Sequence, residues 1–273
     1  MSIIGVICEY NPFHNGHIYH LKKVKESFPN SLIILVMSGN FTQRGIPSIM
    51  DKWKKTEIAL EYGVDLVVEL PFVFATQSAD IFAHGAISIL KEMKAEYLVF
   101  GSETNDIDYL THLANISLYN QNYQKKIKFY LDKGYNYPTA LNMAFEGQVN
   151  IKEPNDLLAI SYIKEILKQD AKITPVSIQR TNSFHEEEIN QAISSATSIR
   201  LALKTEQDFS KAVPDIVYLQ LKKEFADQDN YFPFLKYKIV SQNNLSIYQT
   251  VDEGIEYSIK KVILETNNWK ELV

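Results

Sequence analysis

The sequence predicts an α/β fold, a parallel sheet with helices over both faces. Two observations carry it: short apolar runs without polar alternation, and longer stretches between them whose apolar residues recur every three to four positions. Strand and helix alternating in this rhythm imply right-handed crossovers. Composition agrees, since 273 residues with 45% apolar and 22% charged side chains suit one large packed domain or two modest ones, not a disordered chain.

The first strand is 3–8 (IIGVIC), followed by 31–37 (SLIILVM), 65–70 (DLVVEL) and 96–100 (EYLVF), with a fifth expected at 173–178. Helices are predicted at 16–28, 51–62 and 78–93; in the last, Ile81, Phe82, Ile87, Ile89, Leu90 and Met93 form one broad stripe. An insertion at about 106–169 reads as mostly helical. Within it, Pro154-Asn155 opens a helix carrying Leu157, Leu158, Ile160, Ile163 and Ile166. A domain over 1–200 is expected, then a weaker helical region over 201–273, broken at 227–230, at Phe232-Pro233 and at 242–244.

Cys8 is the single cysteine, which excludes an intrachain disulfide and Cys-rich metal sites. Met1–Val6 lacks the basic start of a signal peptide, and no stretch approaches 18 apolar residues, so a cytoplasmic protein without a membrane span is expected. Net charge is −5, which speaks against a general nucleic-acid coat. Residues 1–60 nevertheless carry seven Lys/Arg against four Asp/Glu, so cationic character gathers where the unusual motifs lie.

In an open α/β sheet, ligands bind beyond the carboxyl ends of the strands. After the first strand comes Glu9-Tyr10-Asn11-Pro12-Phe13-His14-Asn15-Gly16-His17, two histidines flanking a glycine where a helix starts. Helix N-termini present free N–H groups and partial positive charge, which suit phosphate. Gly16 admits a ligand close to the backbone. His14 and His17 share a face of the first turn and can donate to phosphate oxygens. His20 continues the spacing, which also suits a metal. With no carboxylate or cysteine at ligand spacing, phosphate ranks above zinc and no metal ligand is assigned. The glycine-rich dinucleotide fingerprint and the GxxxxGK[ST] loop are absent from the sequence, against a nicotinamide dehydrogenase or P-loop enzyme.

A second anion site is expected at Ile193-Ser194-Ser195-Ala196-Thr197-Ser198-Ile199-Arg200. Clustered hydroxyls cap a helix there, and Arg200 offers a planar fork. Ser38-Gly39-Asn40-Phe41-Thr42-Gln43-Arg44-Gly45 follows the second strand. After the fourth, Gly101 lets adenine or ribose lie against backbone. The lysines of Asp51-Lys52-Trp53-Lys54-Lys55 open a helix, with Lys54 and Lys55 expected on a solvated face.

A strand followed by His-x-Gly-His is the signature of the nucleotidylyltransferase superfamily. EYNPFHNGH, Ser38-Gly39-Asn40-Phe41 with Gln43-Arg44-Gly45, Glu69-Leu70-Pro71, Phe100-Gly101-Ser102-Glu103, Pro154-Asn155, Gln179-Arg180 and Ser195-Ala196-Thr197-Ser198-Ile199-Arg200 together resemble the bacterial tRNA(Met) cytidine acetate ligases, over nearly the whole chain. The resemblance implies a Rossmann-like parallel sheet of the HxGH type. It also implies an enzyme that forms acetyl-AMP from ATP and acetate, then acetylates the wobble cytidine of elongator tRNA(Met) to N4-acetylcytidine. His14, His17 and Arg200 would be its catalytic groups. Its nucleotide contacts would be Ile7, Cys8, Glu9, Tyr10, Asn11, Pro12, Phe13, Asn15, Gly16, Ile18, Tyr19 and His20, with Gly39, Gly101, Asn155, Arg180, Ser195 and Thr197 beyond them. Mg2+ would be carried by the ATP phosphates. His185 and Glu9 are candidates for a general base.

Members of that family run on into a Lys/Arg/Tyr-rich helix, whereas this sequence ends at Val273 with nine basic and eleven acidic residues over 201–273. A shortened or a divergent member is expected, with tRNA binding the part most affected. Two rivals are a nucleotidylyltransferase acting on a small molecule, such as a phosphopantetheine or nicotinamide mononucleotide type, and a nucleotide sensor without turnover. The helical insertion and C-terminal extension favour a macromolecular substrate. Retention of both histidines and Arg200 favours catalysis.

Overall fold

Five apolar runs form five parallel strands: β1 (Ile3–Cys8), β2 (Leu32–Ser38), β3 (Leu66–Leu70), β4 (Tyr97–Ser102) and β5 (Thr174–Gln179). A computed structural model describes residues 1–135, 137–145, 153–180, 194–249, 251 and 254–272. The sheet order is β3-β2-β1-β4-β5. In register, Ile3 faces Leu32 and Ile4 faces Tyr97. From β1 the chain works outward to β3, then returns to the other side of β1 with β4. The direction of winding therefore switches between β1 and β4, where a crevice opens at the carboxyl ends of the strands.

The intervening helices are α1 (Asn15–Ser27), α2 (Lys52–Glu61), α3 (Phe72–Ala75) and α4 (Ala79–Glu92). The insertion is helical as expected: α5 (Ile107–Tyr119), α6 (Gln121–Asp132), α7 (Tyr137–Ala144) and α8 (Pro154–Lys168). After β5 come α9 (Ala196–Lys204) and α10 (Asp215–Lys223). Side chains alternate across each strand, so the sheet feeds two cores. Ile34, Val36, Leu98 and Phe100 pack with Ile87 and Leu90 of α4, Leu110 of α5 and Ile160 of α8. Ile4, Val6, Leu35 and Met37 pack with Leu21 of α1, Ile58 of α2, Ile199 of α9 and Val217 of α10.

By contact, the chain forms two units, Met1–Glu224 and Phe225–Val273. The first runs past the boundary at 200 expected from sequence. Ala202, Leu203, Phe209, Ala212, Val213, Val217 and Leu221 are buried in the same core as β1 and β2, which holds this segment to the sheet. The second unit contains α11 (Phe232–Ser241), α12 (Ile255–Val262) and α13 (Trp269–Leu272) around Phe232, Ile239, Leu245 and Ile263. Phe232-Pro233, expected as a break, opens α11 instead. Proline is tolerated in a first turn, whose N–H groups have no partner within the helix. Among the described residues no helix is long and apolar enough to cross a membrane.

Ile87 is fully buried where α4 meets the sheet. Ile87→Ala is expected to lower unfolding free energy by about 2–5 kcal/mol, read from urea midpoints at constant m-value. A midpoint equal to wild type would contradict the packing of α4 on the sheet.

Candidate functional site

The first β-to-α corner is built around an unusual helix cap. His14 has extended backbone (φ −146°, ψ 173°) and is the N-cap of α1. Its Nδ1 accepts from the Gly16 N–H at 3.0 Å, and His17 Nδ1 accepts from the His14 N–H at 3.2 Å. Capping boxes ordinarily pair a Ser or Thr with a Glu or Gln; here two imidazoles do both jobs. A neutral imidazole has one N–H and one bare nitrogen. With Nδ1 accepting in both rings, each ring carries its proton on Nε2. The rings stack with centroids 3.8 Å apart and planes 27° apart. Behind them, Phe13 and Tyr10 pack on His17.

Burial, followed by the Arg180 and Arg200 charges, pushes the His14 pKa down to about 3. Burial and then His14 hold His17 well below the usual histidine range, and burial with Arg180 brings His20 down to about 4. Without an anion, these rings are neutral hydrogen-bond donors.

A cleft of about 640 Å³ opens above this corner. Of the residues expected from sequence, Ile7, Cys8, Glu9, Tyr10, Asn11, His14, Gly16, His17, Tyr19, His20, Gly101, Asn155, Arg180, Ser195, Thr197 and Arg200 line it. Arg200 reaches across 189 positions of sequence: its Nη1 donates to the Asn11 carbonyl at 2.7 Å and its Nη2 to Thr197 Oγ1 at 3.1 Å. Ser195 is the N-cap of α9, its Oγ accepting from the Ser198 N–H at 3.1 Å. At the β4 end, a Cβ on Gly101 would lie 3.2 Å from Arg180 Cγ, so a bare backbone lets that side chain cross. Glu103 gathers the neighbours. It accepts from Asn155 Nδ2 at 2.5 Å and from the Asp156 N–H at 3.2 Å, and lies 3.3 Å from Arg180 Nε.

Five expected residues do not line the cleft. Phe13 is fully buried in the core beneath it, against Tyr62. Pro12, joined to Asn11 by a cis peptide, is buried too. Asn15 turns away and donates to the Lys211 carbonyl at 2.8 Å, while Ile18 packs against the β1–β2 core. Gly39 lies below the floor. Glu69 Oε1 occupies the space its Cβ would need, and its carbonyl accepts from Lys55 Nζ at 2.9 Å.

That Lys55 contact corrects another expectation. Lys54 does sit on the outer face, paired with Glu57, but Lys55 is 1% exposed. Its Nζ donates to the carbonyls of Glu9, Ser38 and Gly39, each at 2.9 Å, tying the ends of β1 and β2 together. Burial lowers its pKa to about 8. Glu9 accepts from the Gln43 N–H at 2.5 Å, and burial raises its carboxyl above the usual range. Glu103, Phe82, Leu158 and Tyr162 had no assigned role from sequence. Phe82 and Leu158 read only as positions on helical stripes and Tyr162 drew no reading, and the structure puts all three on the cleft wall. His185 and Ile193 lie outside the described residues.

A parallel sheet whose switch point carries a paired-imidazole loop, facing an arginine and hydroxyls at a second helix N-terminus, is the architecture of a nucleotidyl transferase. A family model described as HIGH Nucleotidyl Transferase matches residues 1–273. The tRNA(Met) cytidine acetate ligase of Anoxybacillus flavithermus is 38% identical, covering 100% of this chain and 72% of its own. The Mycoplasma mobile protein of the same name is 39% identical over 99% of this chain and 91% of its own. The crystal structure of Thermotoga maritima TmcAL bound with alpha-thio ATP superposes with a TM-score of 0.88 at 35% identity, covering 100% of this chain and 69% of that one. The chain belongs to the tRNA(Met) cytidine acetate ligase family.

The depressed histidines fix a pH dependence. The unfolded chain, with histidines near pKa 6.5, takes up protons before the fold does. Their contribution to stability is therefore complete above that value and is lost as pH falls toward their folded pKa values. Between pH 7 and pH 5, His14 and His20 are each expected to remove about 2 kcal/mol, checked by urea midpoints at the two values. A midpoint that stays put would contradict buried neutral rings.

Proposed function

We propose that this chain binds ATP in the cleft, joins acetate to it as acetyl-AMP, and acetylates the wobble cytidine of elongator tRNA(Met) in the cytoplasm. The single observation that carries the reading is the donor geometry of the imidazole pair, two Nε2–H groups held by the backbone beside a helix N-terminus. The relatives' names supply the reaction. None of the relatives described above carries the name of an enzyme acting on a small-molecule acceptor, so that alternative is not favoured.

In this mechanism an acetate oxygen attacks the α-phosphorus. The bond to the bridging oxygen breaks, and pyrophosphate departs with its electrons. Negative charge builds on phosphoryl oxygens, so what the protein must supply is alignment and positive potential. His14 and His17 donate through Nε2, and the arriving phosphate charge raises their pKa values, opposing the burial that lowers them in its absence. Arg180 and Arg200 add fixed charge, with the remaining N–H groups of α1 and α9 beside them. The cytidine N4 then attacks the acetyl carbon and AMP leaves. Among the described residues lining the cleft, Glu9 is the carboxylate placed to accept the amine proton, and its raised pKa makes it the stronger base. Among the described residues no group of three or more His, Cys, Asp or Glu is arranged to hold a metal ion. Magnesium would be held by the nucleotide's own oxygens.

The test is to incubate the protein with ATP, labelled acetate and unmodified tRNA(Met), digest the RNA and measure acetylated cytidine by mass. Label in cytidine is expected; its absence while ATP is consumed would contradict the acceptor. His14→Asn keeps a good N-cap, since its amide oxygen can accept the Gly16 N–H, but it removes the Nε2 donor. Acetate-dependent pyrophosphate exchange is expected to fall by about two to four orders of magnitude with α1 intact by circular dichroism. Near-normal exchange would contradict the phosphate role.

A further inference from the structure

Tyr162 of α8, a residue 5% exposed, lines the cleft, and its hydroxyl makes no hydrogen bond among the described residues. Phe82 of α4, Phe100 of β4 and Leu158 of α8 line the same wall, with the Phe100 and Tyr162 rings 6.1 Å apart. Burial, then the Glu9 and Cys8 charges, keeps the phenol protonated far above working pH, so it is a donor throughout. The fold itself leaves that donor unused. At the edge of a ligand cleft, the missing acceptor is one that arrives with the ligand.

We propose that Tyr162 recognises the carboxylate substrate, its hydroxyl donating to the acetate oxygen that does not attack phosphorus while Phe82 and Phe100 enclose the methyl group. This rests on the acetate-ligase reading above and assigns that site's second substrate. One donor beside apolar side chains matches a short carboxylate. The same contact serves both steps. In the first, the attacking oxygen forms its bond to the α-phosphorus as pyrophosphate leaves, and the other oxygen, held by Tyr162, becomes the carbonyl. In the second, cytidine N4 attacks the carbonyl carbon, whose π electrons move onto that oxygen. They return as the bond to AMP breaks, and the amine proton goes to Glu9. Tyr162 holds the oxygen while it carries charge.

The test is acetate-dependent pyrophosphate exchange by the full chain, wild type against Tyr162→Phe, with ATP affinity from titration and the thermal midpoint alongside. The variant is expected to raise the KM for acetate about 10- to 100-fold while ATP affinity stays within twofold. The midpoint should be unchanged or higher, because the hydroxyl has no partner in the fold to lose. Wild-type exchange that needs no acetate would sink the acetate reading and this subsite with it. Normal acetate dependence in the wild type with an unchanged acetate KM in Tyr162→Phe would leave that reading standing and overturn the role of Tyr162. A variant that loses ATP affinity and midpoint together would overturn it too, showing a ring that packs the cleft instead of a hydroxyl that reads the carboxylate.

Discussion

Everything at the cleft depends on where the first turn of α1 sends its free N–H groups. A helix start leaves donors that the helix itself cannot satisfy. In this chain two of the donors at that corner, the N–H groups of His14 and Gly16, go to imidazole Nδ1 atoms. The cap therefore decides the tautomer. Each ring turns an Nε2–H outward, and the 3.8 Å stack between the rings leaves little freedom to turn otherwise. A stability device and a donor array are one set of bonds. This is why alanine at either histidine would disturb helix and chemistry together, at about 1 kcal/mol for a lost cap, whereas asparagine at His14 separates the two.

The electrostatics follow from the same arrangement. Buried imidazoles beside Arg180 and Arg200 remain neutral because burial and neighbouring positive charge both oppose protonation. An incoming triphosphate reverses the second influence. Below the floor, Lys55 donates to carbonyls from the ends of β1 and β2, so the loops that frame the cleft are braced by one buried ammonium. The Asn155–Glu103–Arg180 contacts brace the β4 side in a comparable way.

The strands were legible because a parallel sheet covered on both faces leaves unbroken apolar runs, as in LIILVM of β2. The histidine loop was legible because the pattern itself names the chemistry. The extent of the first unit was not, since Phe209, Val217 and Leu221 give only a weak helical pattern and their partner is a distant sheet face. Lys55 was misplaced on the strength of its residue type. The signal was present in its spacing, because Lys55, Ile58 and Ala59 share the buried stripe of α2. Contacts such as Arg200 to the Asn11 carbonyl join positions too far apart for any local pattern to show. The same holds for the placement of Tyr162 on the cleft wall.

The most direct measurement is a long-range proton–nitrogen correlation spectrum of the histidine side chains in the unliganded protein at neutral pH. The account expects His14 and His17 both neutral, with Nε2 protonated and Nδ1 bare. A proton on Nδ1 of either ring, or a charged ring before any nucleotide is added, would contradict it.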